Sequence, residues 1–423
     1  VRIIIYSPRS NNRIRYTIGH IFDNYFDSEW YITESRAEFE SSKDQLKINY
    51  SGERFSDSFN VLRTDYMNDF DVCNTPAFAE RLEYRDKQTN FDPIAAIFFF
   101  LSRAEEYRDF NPDEHGRFCA SHSVLAEQNL CETPLVDKWI QSLRLILQKH
   151  FNVHLNDPVG YRFISTVDID HIFAFRAKAL PIYMASLARD IITLRLRRVA
   201  DRFRANDPYD QFEYLSKLFR SLGIESRWFI MCAKRGAYDK IISYRNPAYQ
   251  DRVKSLASDF DLGIHPSYAS NSNPELISSE RLALESVIGR PVGISRQHYL
   301  RMSLPDTYKA LIKSGIREDY SMAFHDRVGF RASTCRPFYW FDVMADNFTE
   351  LKIIPFQVMD ITLRKYMDLD PGGAFSKTAA IVDTVRDVNG TFVLLWHNSS
   401  FYEEEGWGGY SELYTRILNY AKS

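Results

Sequence analysis

From residue 156 onward, short apolar runs alternate with stretches whose apolar positions recur every three or four residues. The runs are YRFISTVD, RWFIMC, FDLGI, PVGI, IREDYSM, KIIPFQVM and TFVLLW, seven in all. Between them lie YQDRVKSLASD, PELISSERLALESVI, PDTYKALIKSG, AFSKTAAIVDTVRDV and GGYSELYTRILNYAK, each with helical spacing. Strand–helix alternation predicts right-handed βαβ units and a parallel sheet. Seven units are enough to close a barrel, whose chemistry would lie on the loops at the C-terminal ends of the strands.

The first 155 residues have another rhythm and predict a smaller α/β domain. RIIIYS, WYIT and LKINYS read as strands, and NRIRYTIGHIFDNYF as a helix. DPIAAIFFFLSRAEEY opens with Asp and Pro, a good helix start. PLVDKWIQSLRLILQKHF is strongly amphipathic. Between these two helices, RDFNPDEHGRF carries Asp113, Glu114 and His115 and reads as a solvated loop. FNVHLNDPVG reads as a linker, so the division falls at 1–155 and 156–423. Six linker residues span at most ~20 Å. The N-terminal domain is therefore expected to dock as a fixed body, while the chemistry needs no side chain from residues 1–150.

A chain of 423 residues suits two domains. A net charge of −3 offers no global basis for binding nucleic acid. Five cysteines, an odd number with no CxxC pair, argue against a disulfide framework and a zinc finger. They fit reduced thiols in the cytoplasm. The first residues lack a signal-peptide pattern, and IAAIFFFL is too short to span a bilayer. The segment Leu187–Arg204 is helical in period and carries six Arg against two Asp. Such a helix can lie on an anionic membrane or bind acidic glycans. The alternative is a solvated helix packed down by Ile191, Leu194 and Val199. Oligomeric state is not legible.

Polar, ionisable residues stand where the loops of a barrel would be. The first run ends in Asp168 and Asp170, the third leads to His265, the fourth to His298 and the last to His397. Asp170, His265 and His298 form an O,N,N set suited to a catalytic Zn²⁺, with Co²⁺, Ni²⁺ or Mn²⁺ as substitutes. Asp168 shares the orientation of Asp170 by strand periodicity and could act as general base. His397 could protonate a leaving group, and Arg331 could hold Asp168 ionised by pairing with it. His171 alternates away from Asp170. His20, His122, His150, His154 and His325 have no constellation around them and read as structural.

TVDID (166–170), GIHPSY (263–268), GFRAST (329–334) and LLWHNSSF (394–401) together resemble the motifs of the polysaccharide deacetylase superfamily, the NodB-homology domain. With AAIFFFLSRAEEY and SRQHYLR added, the chain is similar to a bacterial subgroup with an uncharacterised α/β domain in front. The resemblance implies a distorted (β/α)7 barrel over about 157–423. It also implies one divalent metal and hydrolysis of N-acetyl groups on amino sugars of a polysaccharide or glycan precursor. Asp168 takes the place of the family's base, Asp170 of its metal-binding Asp, Arg331 of its third-motif Arg and His397 of its general acid. A backbone N–H near Tyr268 would help hold the oxyanion. One departure stands out. The family's second motif has a further His four residues on, where this chain has Ala269. His298 is expected to supply the missing ligand. The loss also leaves open a carbohydrate-binding protein on a degenerate deacetylase fold. Cleavage of another C–N bond is a third reading.

Overall fold

The computed structural model describes residues 1–423. The N-terminal part is built on a four-stranded parallel sheet. Its strands are β1 (Arg2–Tyr6), β2 (Glu29–Thr33), β3 (Leu46–Asn49) and β4 (Phe59–Asn60), in the order β2-β1-β3-β4. A small hairpin, β5 (Tyr84–Arg85) with β6 (Gln88–Thr89), follows. The helix Asn12–Tyr25 starts where Asn11 accepts a hydrogen bond from the Ile14 N–H, satisfying one of its free donors. The helix Pro93–Ser102 has Asp92 as its cap and Pro93 in its first turn, and all ten of its residues are buried. It is apolar on every side, as a helix enclosed on all sides must be. The helix Leu135–Phe151 turns Leu135, Trp139, Ile140, Leu143 and Leu147 inward.

A nine-stranded sheet organises the rest. Its strands are β7 (Arg162–Ile169), β8 (Glu225–Ile230), β9 (Asp261–Ile264), β10 (Ile294–Ser295), β11 (Glu318–Asp319), β12 (Phe338–Asp342), β13 (Asn347–Ile353), β14 (Val358–Met359) and β15 (Thr391–His397). The order is β12-β13-β11-β10-β9-β8-β7-β15-β14. All seven expected runs fall on this sheet; KIIPFQVM spans the end of β13 and all of β14, and β12, paired antiparallel with β13, is an addition. The ladder is not continuously closed. It breaks where the chain passes from β13 to β14. There Phe356 N–H donates to Met322 O and Gln357 N–H to Val393 O.

Side-chain alternation sets what one face of the sheet holds. Ile164, Phe229, Phe356, Val393 and Leu395 pack into one small apolar cluster. Two residues further along β7 and β15, the same alternation presents Thr166, Asp168 and His397 above it. Arg296, fully buried, lies over the Phe229 and Phe356 rings at 4.8 and 4.7 Å and separates the apolar layer from the charged one. The opposite faces of β7 and β8 join the large core, through Val167, Ile169, Trp228 and Ile230.

That core runs without a break from Ile3 to Ala421, so the two parts of the chain share it. Buried Asp137 accepts bonds from Tyr25 Oη, Thr334 Oγ1 and Cys335 N–H at 2.7, 3.1 and 3.0 Å. Asp157, in the expected linker, pairs with Arg144 and Arg336 at 2.9 and 2.6 Å. No helix is long and apolar enough to cross a membrane.

Candidate functional site

β7 and β15 run parallel in register, with His397 opposite Asp168. Asp170 follows one step beyond the end of β7 on the same face as Asp168. His265 lies just past β9, and His298 three residues past β10. Inward alternation along Gly263–His265 and along Ile294–Arg296–His298 delivers both imidazoles to the carboxylates. His265 Nε2 stands 3.2 Å from Asp170 Oδ1, and His298 Nε2 3.7 Å from Asp170 Oδ2. Potential ligand atoms of Asp170, His265 and His298 all lie within 4.8 Å of one another.

The partners of the two rings fix what these atoms are. His265 Nδ1 is 2.6 Å from Arg296 O, a pure acceptor, so the ring proton sits on Nδ1 and Nε2 presents a lone pair. His298 Nδ1 is likewise 2.9 Å from Asp239 Oδ1. With both rings neutral, two imidazole lone pairs and a carboxylate would converge. Asp170 Oδ1 and His265 Nε2 are buried and have no hydrogen-bond partner. Such convergence is unfavourable unless a positive charge enters. Burial alone would lower the proton affinity of His298, but Asp170 and Asp239 reverse this and raise it to about 9. A proton there supplies the charge that a cation would otherwise supply. Ligand type and outer partners therefore fit a divalent metal taking N and O donors.

Asp168 is held from one side. Its Oδ1 faces Arg296 Nη1 at 3.3 Å, while Oδ2 lies 3.8 Å from His265 Nε2. Arg296 Nη1 also donates to Thr166 Oγ1 at 2.8 Å. His397 is clamped by Asp360, whose Oδ2 accepts from its backbone N–H and whose Oδ1 meets its Nδ1, both at 2.8 Å. Nε2 is left as the ring's free donor. Burial disfavours the imidazolium, but Asp360, with Asp170 and Asp168, pushes it up to about 9.

Several expectations need correction. Arg331 does not reach Asp168. It makes a two-pronged ion pair with Glu106 at 2.8 and 2.7 Å, and Arg296 occupies the place beside Asp168. The loop carrying it is drawn toward the N-terminal part, where the fully buried Glu106 sits between Arg331 and Arg103. The Tyr268 N–H is not free for an oxyanion, because it donates to Asp239 Oδ1 at 2.9 Å. The loop with Asp113 and His115 is only partly solvated. Asp113 binds Arg117, Arg117 donates to Tyr299 O, and His115 Nδ1 lies 3.1 Å from Tyr268 Oη. Asp109, Asn111, Pro112, Glu114 and Gly116 are exposed, Glu114 most plainly, at 86%. His325 is not isolated but groups with Cys119 and Asp326. Both oxygens of Asp326 face the Ala120 N–H, and His325 Nε2 faces Asp113 at 3.4 Å, so these donors already have partners.

Arg296, Asp239 and Asp360 are the residues that sequence reasoning missed. Arg296 had one available signal, since it stands two residues before His298 in SRQHYLR. Asp239 had none, being a single acid in an irregular segment, whereas Asp360 directly follows the apolar run KIIPFQVM at the end of β14. Beside the donor set, Tyr238, Tyr268 and Tyr299 form an aromatic rim. Tyr238 is stacked on Tyr268 at 4.1 Å and is exposed.

Against known proteins, a family of unknown function (DUF7033) matches residues 3–152, well under half of the chain. No curated protein matches. Among solved structures, a Mycobacterium smegmatis protein provisionally assigned as a polysaccharide deacetylase is 15% identical, with a TM-score of 0.42 over 64% of this chain and 87% of its own. A Pseudomonas aeruginosa PAO1 protein with a similar provisional assignment is 11% identical, at 0.37 over 63% and 88%. A family 4 carbohydrate esterase from Streptomyces lividans, solved with acetate, is 9% identical, at 0.30 over 62% and 87%. At these scores the likenesses decide nothing about activity.

Proposed function

We propose that the protein is a metal-dependent hydrolase that removes N-acetyl groups from amino sugars of a polysaccharide or glycan precursor. Residues 156–423 would carry the chemistry as a deacetylase-like α/β barrel, and residues 1–155 would form a separate domain braced against it. One observation carries the reading. Three potential ligand atoms, from Asp170, His265 and His298, lie within 4.8 Å of one another, beside a carboxylate held by Arg296 and an imidazole held by Asp360.

A divalent ion held by Asp170, His265 and His298, Zn²⁺ or a substitute such as Co²⁺, would polarise the acetyl carbonyl and acidify an attacking water. Asp168 receives the proton of that water on Oδ2, the oxygen turned away from Arg296. His397 donates from Nε2 to the departing nitrogen, because Asp360 occupies Nδ1. The water oxygen stays on the acyl carbon and the C–N bond breaks, giving acetate and a free amine. The tyrosine rim offers flat faces suited to a sugar ring. Arg331 has no part in these steps and acts as a brace. The motif resemblance supports the substrate class, and the geometry around Asp168 and His397 supports their roles as base and acid.

Acetate release from N-acetylated chito-oligosaccharides by the Zn²⁺-loaded protein tests this. Asp168→Asn and His397→Ala should each keep the fold and the metal, yet lower turnover roughly 10²-fold or more. Near-full activity in His397→Ala would remove it as the acid.

A further inference from the structure

The chain leaves β7 and soon folds into a helical hairpin, Leu180–Ile192 followed by Leu196–Asp201. Its faces are inverted relative to an ordinary surface helix. The polar side points inward. Asp190, Asp201 and Arg202 are buried. Asp190 binds Arg202, and it meets Arg198 at 3.3 Å. Tyr402 Oη donates to Asp201 at 2.7 Å, and the Arg202 guanidinium lies 4.4 Å from the centre of the Phe175 ring. Ion pairs and ring faces, not aliphatic packing, hold the hairpin down.

The apolar side points to solvent. Leu180, Ile191, Leu196 and Phe203 are exposed, and at the tip Ile192 and Leu194 reach 80% and 78%. Ile191 and Leu194, two of the residues expected to pack the segment down, are therefore on the outside. Arg176, Arg189, Arg195, Arg197 and Arg204 surround them and are exposed as well. The only acids between 176 and 204 are Asp190 and Asp201, both buried. Of the adjoining glutamates, Glu404 pairs with Arg197 and Glu405 with Arg198, while Glu403 is exposed.

Water-facing Ile, Leu and Phe gathered on one element mark a binding surface. The charges around them say which kind. We infer that the 180–204 hairpin seats the protein on an anionic lipid surface. Its apolar tip enters the boundary between headgroups and acyl chains, and the guanidinium groups stay among the phosphates. A second copy fits less well, since a two-fold contact would set the same arginines against each other. The inference stands apart from the catalytic reading.

Vesicle co-sedimentation of the full chain tests it, with phosphatidylcholine alone and with phosphatidylcholine plus phosphatidylglycerol. The protein should pellet with the anionic vesicles and stay in solution with the neutral ones. Ile192→Ser with Leu194→Ser should weaken binding roughly tenfold or more, the substituted side chains being free of the core. Arg189→Gln with Arg195→Gln should weaken it too, and ~0.5 M salt should mimic that loss. Circular dichroism should match the unaltered chain in both variants. Failure to pellet with anionic vesicles, or equal pelleting by both variants, would overturn the inference. So would self-association of the unaltered chain that the Ile192/Leu194 variant abolishes, because a second copy would then be the occupant.

Discussion

His397 can act as an acid only while it carries its second proton, and Asp360 is the main group that keeps it there. Two bonds to one buried carboxylate fix the ring and raise its proton affinity to about 9 against the effect of burial. Activity that needs the imidazolium is present below that value and lost as pH rises through it. A cation at Asp170 cancels part of the negative charge, so the alkaline limb of the loaded enzyme should lie below about 9. Asp360→Asn removes the largest favourable partner and leaves burial to act. The limb should then move down by roughly one pH unit or more. A pH–rate profile measures this, and an unmoved limb would detach His397 from proton transfer. The clustering of Asp170, His265 and His298 was legible from their places at or just past apolar runs. Their supporting groups were less so. Arg331 lies in the expected motif but pairs with Glu106, 225 positions earlier in the chain. No local spacing reveals such a partner.

Each strand carries the site as the next inward step of its own alternation, so small changes low on a strand should be felt at its end. Gly263 on β9 shows this. A Cβ there would stand 2.6 Å from the Phe229 ring and 2.8 Å from Ile294. Gly263→Ala must push both aside, at a cost of about 1–3 kcal/mol for overpacking. Because His265 is two residues on, the same change should weaken Zn²⁺ binding. Denaturant unfolding and metal titration of this variant read the two effects, and an unchanged metal affinity would mean that β9 does not set the position of His265. Elements of this kind were readable because strands covered on both faces leave continuous apolar runs. β12 escaped, since FYWFD pairs antiparallel with its neighbour rather than by a βαβ step. The 180–204 hairpin showed its period but not its orientation. An amphipathic pattern is normally assigned with its apolar side inward, and here an ion-pair network reverses it.

At the scale of the whole molecule, the N-terminal part is a brace that reaches the site's rim. Glu106 sits between Arg103 and Arg331, all three almost fully buried. Glu106→Ala leaves Arg331 without its carboxylate in the core, which should cost about 3–5 kcal/mol. Equilibrium unfolding would show it, and a loss below ~1 kcal/mol, the range of a solvent-exposed pair, would mean that this seam is open to water. A change of rhythm near residue 156 was visible in the sequence, whereas the core shared across it depends on tertiary contacts that a sequence does not display. The central claim is that Asp170, His265 and His298 hold one cation whose presence switches on deacetylation. Its most direct test is acetate release from N-acetylated chito-oligosaccharides by metal-free protein titrated with Zn²⁺. Activity should rise from near zero and level off at about one equivalent, the capacity of a single three-ligand site, and the His298→Ala protein should fail to follow. Acetate release indifferent to Zn²⁺, or absent at every loading, would contradict it.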